Sequence, residues 1–482
     1  MVSIKVFDPV QVPVSFLAEL RDLRADNERL RLDNERLRLD NERLHREFAE
    51  ARQQLEQARR SAKRQSAPFS KGPPEATPKR PGRKPGEAHG RHGHRQPPAP
   101  GDIDEVHEAP LPDACPGCGG VVHESGVATQ FQTEIPRKPL VRQFNVHIGH
   151  CTGCGKCLQG RHPLQTSDAV GAAASQVGPD AQAAVVILNK DAGLSHAKVA
   201  AVMSKLFGVP LTRGASAQIV LRAAARLEAA HGEILEEVKA SRVIVPDETG
   251  WRVGGHPAWL HAWVGERATC YAIDPQRSAD ALERVIGLDW DGVLAHDGWS
   301  SYGRFEAADH QQCLGHVLRR VRELLAGATK GAVRYPRELI ALFTEAIHLR
   351  NGFLRGEVPA AALEGAREQF DARLEKLAYP ERAVPAYETL SDHLWNHLGE
   401  WFVFLDKPWV DATNWRAEQA IRPAVVNRKV WGGNRTQAGA QAQGVLMSVL
   451  RTCWQTERSA LDFVSESLRA FGNPLLQTPV LF

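Results

Sequence analysis

Hydrophobic residues repeat along this chain with three spacings: every seven residues near the start, every three or four through much of the middle and end, and in short unbroken runs between. These spacings predict a coiled coil, packed helices and buried strands respectively. The seven-residue repeat is the most regular, with Leu23, Leu30, Leu37 and Leu44 in equivalent places. Assigning these leucines to d puts Leu20, Asn27, Asn34, Asn41 and Phe48 at a, with Leu55 continuing the seam. Asparagine at a weakens a coil but favours a parallel two-stranded register, because paired amides bond across the seam. In the same frame Asp26, Asp33 and Asp40 at g meet Arg31, Arg38 and His45 at e of a partner helix. A parallel homodimer over 14–60 is expected, with a solvated single helix as the alternative.

Strand-like runs follow at 127–134 and 140–148, and the pattern turns helical from 179 to 237. There, 181–188 reads as one helix, Ser195 caps a second through Val199, Val202, Met203 and Leu206, and Thr212 or Ser216 starts a third after Gly208-Val-Pro210. This spacing over 175–238 is compatible with helix-turn-helix DNA binding, and equally with small helices that bury their apolar stripes. Strands are expected at 242–246, 251–253, 258–264, 268–273 and 292–296, with an amphipathic helix at 278–286. Helical periods return at 338–348 and 361–377.

Composition adds bounds. With 482 residues, 43% hydrophobic and 24% charged, the chain is a globular protein of about three domains by length. Collagen-like, wholly disordered and membrane-bundle classes are excluded. No apolar run of about 18 residues and no signal-type stretch occurs, so a cytoplasmic protein without a membrane partner is expected. The formal charge of +3 is unevenly spread: 59–97 holds eleven Lys or Arg against two acidic residues, an excess of nine, which leaves −6 elsewhere. The Pro- and Gly-rich tether over 61–104, including Arg83 and Lys84, cannot bury a core, and its charge suits phosphate contact through counterion release. A solubilising linker is the simpler alternative.

Five of the eight cysteines fall in two clusters. Cys115-Pro-Gly-Cys118 and Cys151-Thr-Gly-Cys154 are separated by 32 residues, and each short turn aims two thiolates at one point. A closed, structural Zn²⁺ site of Cys115, Cys118, Cys151 and Cys154 is expected within a module over 105–165, with Cys157 as a spare thiol.

Two apolar strands lead into aspartates, Asp247 and Asp297. Carboxylates at neighbouring strand ends converge on one sheet edge, where oxygen ligands can hold Mg²⁺. Taken singly, each is as well read as a turn or cap residue. Glu248 adjoins Asp247, but alternation along a strand turns only one of the pair towards the metal, and Asp247 is chosen.

The motifs around these residues resemble those of transposases of the insertion sequence 66 family. They are Asp247-Glu-Thr-Gly-Trp-Arg-Val253, His296-Asp-Gly-Trp-Ser-Ser-Tyr302, Cys313-Leu-Gly-His-Val-Leu-Arg-Arg320 and Asn414-Trp-Arg-Ala-Glu-Gln-Ala-Ile-Arg-Pro423, with Asn427-Arg-Lys429 after them. The resemblance extends over almost the whole chain and implies a multidomain α/β protein with a ribonuclease H-like catalytic core. That core is expected over 239–318 and 406–435, with a helical insertion at 319–405 and a C-terminal helical element at 436–482. A coiled coil, a zinc-knuckle module and a small helical domain precede it.

The resemblance further implies that Asp247, Asp297 and Glu418 form an Asp, Asp, Glu triad binding two Mg²⁺ ions, with Mn²⁺ as a substitute. Element-end cleavage and strand transfer into target DNA would follow, in a nucleoid-associated bacterial protein, with accessory proteins of the same element as further partners. Gln419 departs from the family, which more often has arginine there. Asp411 is expected to cap the helix bearing Glu418. His316, Arg319 and Arg320 share one helical face, and Arg422, Arg428, Lys429 and Arg435 accompany Trp415 and Trp431, so both sets are candidate DNA contacts. A non-catalytic DNA-binding regulator and a nuclease without strand transfer remain the alternatives.

Overall fold

The computed structural model describes residues 14–62, 97–133, 138–171, 176–328, 332–379, 384–471 and 476–482. Contacts divide the chain into two units, Met1–Phe131 and Gln132–Phe482. In the first unit the heptad region is one 49-residue helix, α1 (Val14–Ala62). Charged side chains three and four apart support it, as in Arg29–Asp26 and Arg38–Glu42. Its leucines at d, Leu23, Leu30, Leu37 and Leu44, are 54–65% exposed. Arg83 and Lys84 of the basic tether lie outside the described residues.

The second unit begins with a small hairpin, β1 (Ile148–His150) against β2 (Cys157–Gln159), which closes over the second cysteine turn. The expected strands around 127 and 140 do not form among the described residues. Val127 and Val141 are each 85% exposed, so their alternation finds no sheet to join. Four helices follow: α2 (Pro179–Lys190), α3 (His196–Phe207), α4 (Arg213–Arg226) and α5 (Glu228–Lys239). Ser195 and Thr212 cap α3 and α4 by accepting from the amides of Lys198 and Ala215. Gly208, at φ 65°, ends α3 in the left-handed conformation that a residue without Cβ adopts freely.

A five-stranded sheet comes next, made of β3 (Val243–Val253), β4 (His256–Val264), β5 (Thr269–Asp274), β6 (Val293–His296) and β7 (Asp309–Gln312). The helix α6 (Asp280–Ile286) links β5 to β6. The strand order is β5-β4-β3-β6-β7, antiparallel across the first three and parallel from β3 to β7. Strand β3 does not stop at Pro246 as its sequence predicts, because β4 pairs with it from Val245 to Val253. On its other side β6 pairs only with Val243 and Ile244.

After β7 come α7 (Leu314–Ala326), α8 (Arg334–Leu354), α9 (Ala366–Ala378), α10 (Pro385–Asn396) and α11 (Val403–Asp406). Then α12 (Trp415–Trp431), α13 (Gln437–Gln455) and α14 (Ala460–Ala470) complete the chain's helices among the described residues. Alternation along the strands sorts these into two layers. Val243, Val245, Val293 and Ala295 face a core shared with α7 to α12. Ile244 and Leu294 face the opposite core, shared with α2 to α6, α13 and α14. The helices at 179–239 therefore form one layer over the sheet. The segment 400–404 covers the outer edge of β7, where buried Gln311 bonds the Trp401 carbonyl and the Phe404 amide.

Candidate active site

Strands β3 and β6 run parallel and lead into the two aspartates. Val243 pairs with Val293, and Asp247 and Asp297 each lie four residues further on, so both lie towards the same end of the sheet. As an odd-numbered residue of β3, Asp247 belongs to the face that packs on α12, and Asp297 lies in the turn just after β6. Glu418, in the first turn of α12, comes to the same place from a segment more than a hundred residues later. Their nearness shows in the charge of Asp247. Burial first, then the amide of Glu248 acting oppositely, then repulsion from Glu248, Asp297 and Glu418, leave its carboxyl pushed up to about 7.

Asp247 and Glu418 line a hollow of about 410 Å³ together with Trp415, Gln419, Ile421, Arg422 and Val425. A second hollow of about 450 Å³ shares Gln419 and Arg422 and continues along α12 past Pro423, Val426 and Asn427 to Asp191 and Ala192. Asp297 is exposed and accepts a hydrogen bond from the Trp299 amide at 3.1 Å, which fixes its side chain over the turn.

The expected neighbours of the triad separate into groups. His316 Nε2 and Arg319 lie 3.6 Å and 4.0 Å from the same Glu418 oxygen, so both face the third carboxylate directly. Arg320 is on the same helix, half-buried. Arg422, Lys429 and Arg435 are exposed. Arg428 is instead held against β3, donating to the Thr249 hydroxyl and the Gly250 carbonyl. Trp415 is exposed beside Glu418, whereas Trp431 packs edge-on to Trp251 at 5.8 Å and lies under the Lys190 ammonium. Asp411 does not cap α12. It pairs with Arg350 of α8 at 3.3 Å, while Asn414 takes the cap position without a side-chain bond.

Glu248 occupies the opposite face from Asp247, as alternation requires. Its side chain is paired with Arg277 and accepts from the Tyr302 hydroxyl. Neither partner is legible from the motifs, because nothing in the spacing of 248, 277 and 302 indicates that they meet.

The cysteine turns are near copies of each other. Gly119 N donates to Cys115 O and Gly155 N to Cys151 O, both at 2.8 Å, and each glycine sits at positive φ, 72° and 71°. In each turn two amides donate to the first sulfur: Gly117 and Cys118 to Cys115, and Cys154 and Gly153 to Cys151. These bonds hold both thiols below their ordinary pKa, which favours the thiolate that binds metal. Among the described residues no group of three or more His, Cys, Asp or Glu side chains is gathered tightly enough to enclose an ion. The triad therefore shares an electrostatic field without forming a closed cage.

The profile of the family described as "Transposase IS66 family" matches residues 174–442. That is more than half of the chain, from the helices before the sheet through all three carboxylates into α13. The chain belongs to this family. Membership supports a transposase-type function for the matched region, and it begins beyond both cysteine turns. A curated relative, "Uncharacterized protein y4qI" from Sinorhizobium fredii (strain NBRC 101917 / NGR234), is 23% identical over 300 residues. The alignment covers 54% of this chain and 53% of that protein, so the chain spans about half the length of its relative. No helix among the described residues is long and apolar enough to cross a membrane.

Proposed function

We propose that this family member is a DNA transposase that cleaves element ends and joins them to target DNA by in-line attack at phosphorus. The observation that carries the reading is the convergence of Asp247, Asp297 and Glu418, where burial first and then repulsion from the neighbouring acids push the Asp247 carboxyl up to about 7. A buried acid surrounded by acids fits a divalent-cation site, since a cation relieves the repulsion that raises it. When bound, two Mg²⁺ or Mn²⁺ ions supply an activated water or hydroxyl and stabilise the leaving oxygen. The strand order β5-β4-β3-β6-β7, with its change from antiparallel to parallel at β3, agrees with a ribonuclease H-like core, and α8 to α11 agree with an insertion in it.

The chain's own groups have separate parts in this proposal. The three carboxylates hold the ions, and His316 and Arg319 orient Glu418. Arg422, exposed at the junction of the two hollows, is placed to hold a phosphate, and exposed Trp415 offers a face on which an unpaired base can stack. Lys429, Arg435, Arg320 and the helices at 175–238 extend the DNA surface. Arg83 and Lys84 add sequence-independent phosphate contacts. Exposed leucines on α1 support a parallel homodimer, because two copies would remove the same stripe from water. The paired cysteine motifs and the amide bonds within each turn support structural Zn²⁺. DNA, a second copy and accessory proteins of the same element are the proposed partners, in the cytoplasm at the nucleoid.

The test is incubation of the full chain with an element-end duplex and Mg²⁺ or Mn²⁺, alongside Glu418→Gln. Cleaved and joined products should fall by more than about a hundredfold in the variant, about 2.7 kcal/mol of barrier. Equal product from both proteins removes Glu418 from the reaction. Cleavage without joining would identify a nuclease, and DNA binding without either would identify a regulator.

A further inference from the structure

The backbone ladder does not set the spacing of the two aspartates. Strands β3 and β6 pair at Val243 with Val293 and at Ile244 with Leu294, and the pairing ends there, three residues before Asp247 and Asp297. Beyond that point β3 follows β4, and β6 follows β7 as far as His296 with Gln312. The ladder between β3 and β6 therefore stops short of both carboxylates.

On the rear face of the sheet, opposite Asp247, the Glu248 side chain is only 3% exposed. Its Oε1 accepts from Arg277 Nε at 2.8 Å and lies 2.7 Å from the terminal guanidinium nitrogen, while Oε2 accepts from Tyr302 Oη at 3.0 Å. The guanidinium is stacked between Trp259 and Trp299, 5.0 Å and 4.7 Å from the two ring centroids. Trp299 is the residue whose amide holds the Asp297 carboxylate. The Tyr302 ring rests against both His296 and Trp299, at 4.9 Å and 5.3 Å, and so grips the turn on either side of Asp297. The hydrogen bonds from Arg277 and Tyr302 thus connect β3 to that turn through this one buried carboxylate. A buried charge satisfied on both oxygens is costly to disturb, which makes such a link stiff.

We infer that Glu248, clamped by Arg277 and Tyr302, is a positioning residue that sets the separation of Asp247 and Asp297 for divalent-cation binding. It acts from behind the sheet and touches neither substrate nor ion. The inference rests on the catalytic reading above and adds to it the part that fixes the geometry of the site.

The experiment measures Mn²⁺ binding to the full chain by the electron paramagnetic resonance of free Mn²⁺, for wild type, Glu248→Gln and Tyr302→Phe. Element-end binding without metal, circular dichroism and the Mg²⁺ dependence of cleavage are followed in parallel. Tyr302→Phe keeps the ring packing and loses only the hydroxyl, so it folds even where Glu248→Gln does not. The expected result is Mn²⁺ affinity about 10- to 100-fold weaker in Tyr302→Phe, with DNA-end affinity unchanged. The Mg²⁺ midpoint for cleavage should rise by the same factor, and saturating metal should restore much of the rate. Unchanged Mn²⁺ affinity in a folded Tyr302→Phe overturns the inference while leaving the catalytic reading intact. A wild type that binds no Mn²⁺ overturns both.

Discussion

Asp247 and Glu248 are consecutive residues of one strand, yet they live in opposite electrostatic worlds. The front carboxylate is partly buried among other acids and has no cation against it strong enough to offset them, so its proton is held up to about 7. The rear carboxylate is more deeply buried but meets a stacked guanidinium and a tyrosine hydroxyl. Burial alone therefore does not decide whether a carboxyl is pushed up or held ionised by its neighbours. What separates the two is compensating charge: among the described residues Arg277 supplies it to Glu248, whereas the charged groups acting on Asp247 are other acids.

The largest expected effect tests that difference through stability. The folded state raises the Asp247 pKa from 3.8 to about 7, so it keeps a proton that the unfolded chain releases between those values. Stability contributed by this group is complete below about pH 4 and is lost as pH rises through 7. Replacing Asp247 with Asn should therefore stabilise the metal-free protein at pH 8 by roughly 1 to 3 kcal/mol, discounted for partial solvent access. At pH 4 the gain should vanish. Thermal unfolding in EDTA at the two pH values measures this, and a variant less stable than wild type at pH 8 would mean the front acid is compensated after all.

How much of this was legible beforehand follows from how local each feature is. The long helix α1, the caps Ser195 and Thr212 and both cysteine turns depend on neighbours within a few residues, and their residue types report them. Strands and helices of the second unit were also readable from period, but the length of β3 was not. Its end depends on β4, a partner that no window around Pro246 contains. The candidate runs around 127 and 140 failed in the reverse sense: alternation was present, and no partner strand pairs with them among the described residues. Asp247 and Asp297 could be proposed from strand ends, whereas Glu418 entered through family resemblance. The Arg277 and Tyr302 clamp had no sequence signal, since it arises only where β3, the segment after β5 and the turn after β6 meet. Asp411 misled because a polar residue before a helix is normally a cap, and here Arg350 competes for it.

The same front-and-rear contrast divides the arginines of α12, with smaller effects. Arg428 turns back to the Thr249 hydroxyl and the Gly250 carbonyl of β3, so Arg428→Ala should cost about 1 to 2 kcal/mol of stability, read as a lower denaturant midpoint. Arg422, two turns earlier, is exposed between the two hollows. Its replacement by Ala should leave the midpoint unchanged and alter only the salt dependence of element-end binding. Each phosphate contact releases about one counterion, so the slope of log affinity against log salt should become shallower by about 1. Arg428→Ala should leave that slope as it is, because its Nη1 is turned back onto the Thr249 hydroxyl and the Gly250 carbonyl of β3. If both variants shift the slope equally, Arg428 must leave its strand when DNA arrives, and the division between structural and DNA-facing groups on α12 would hold only for the free protein.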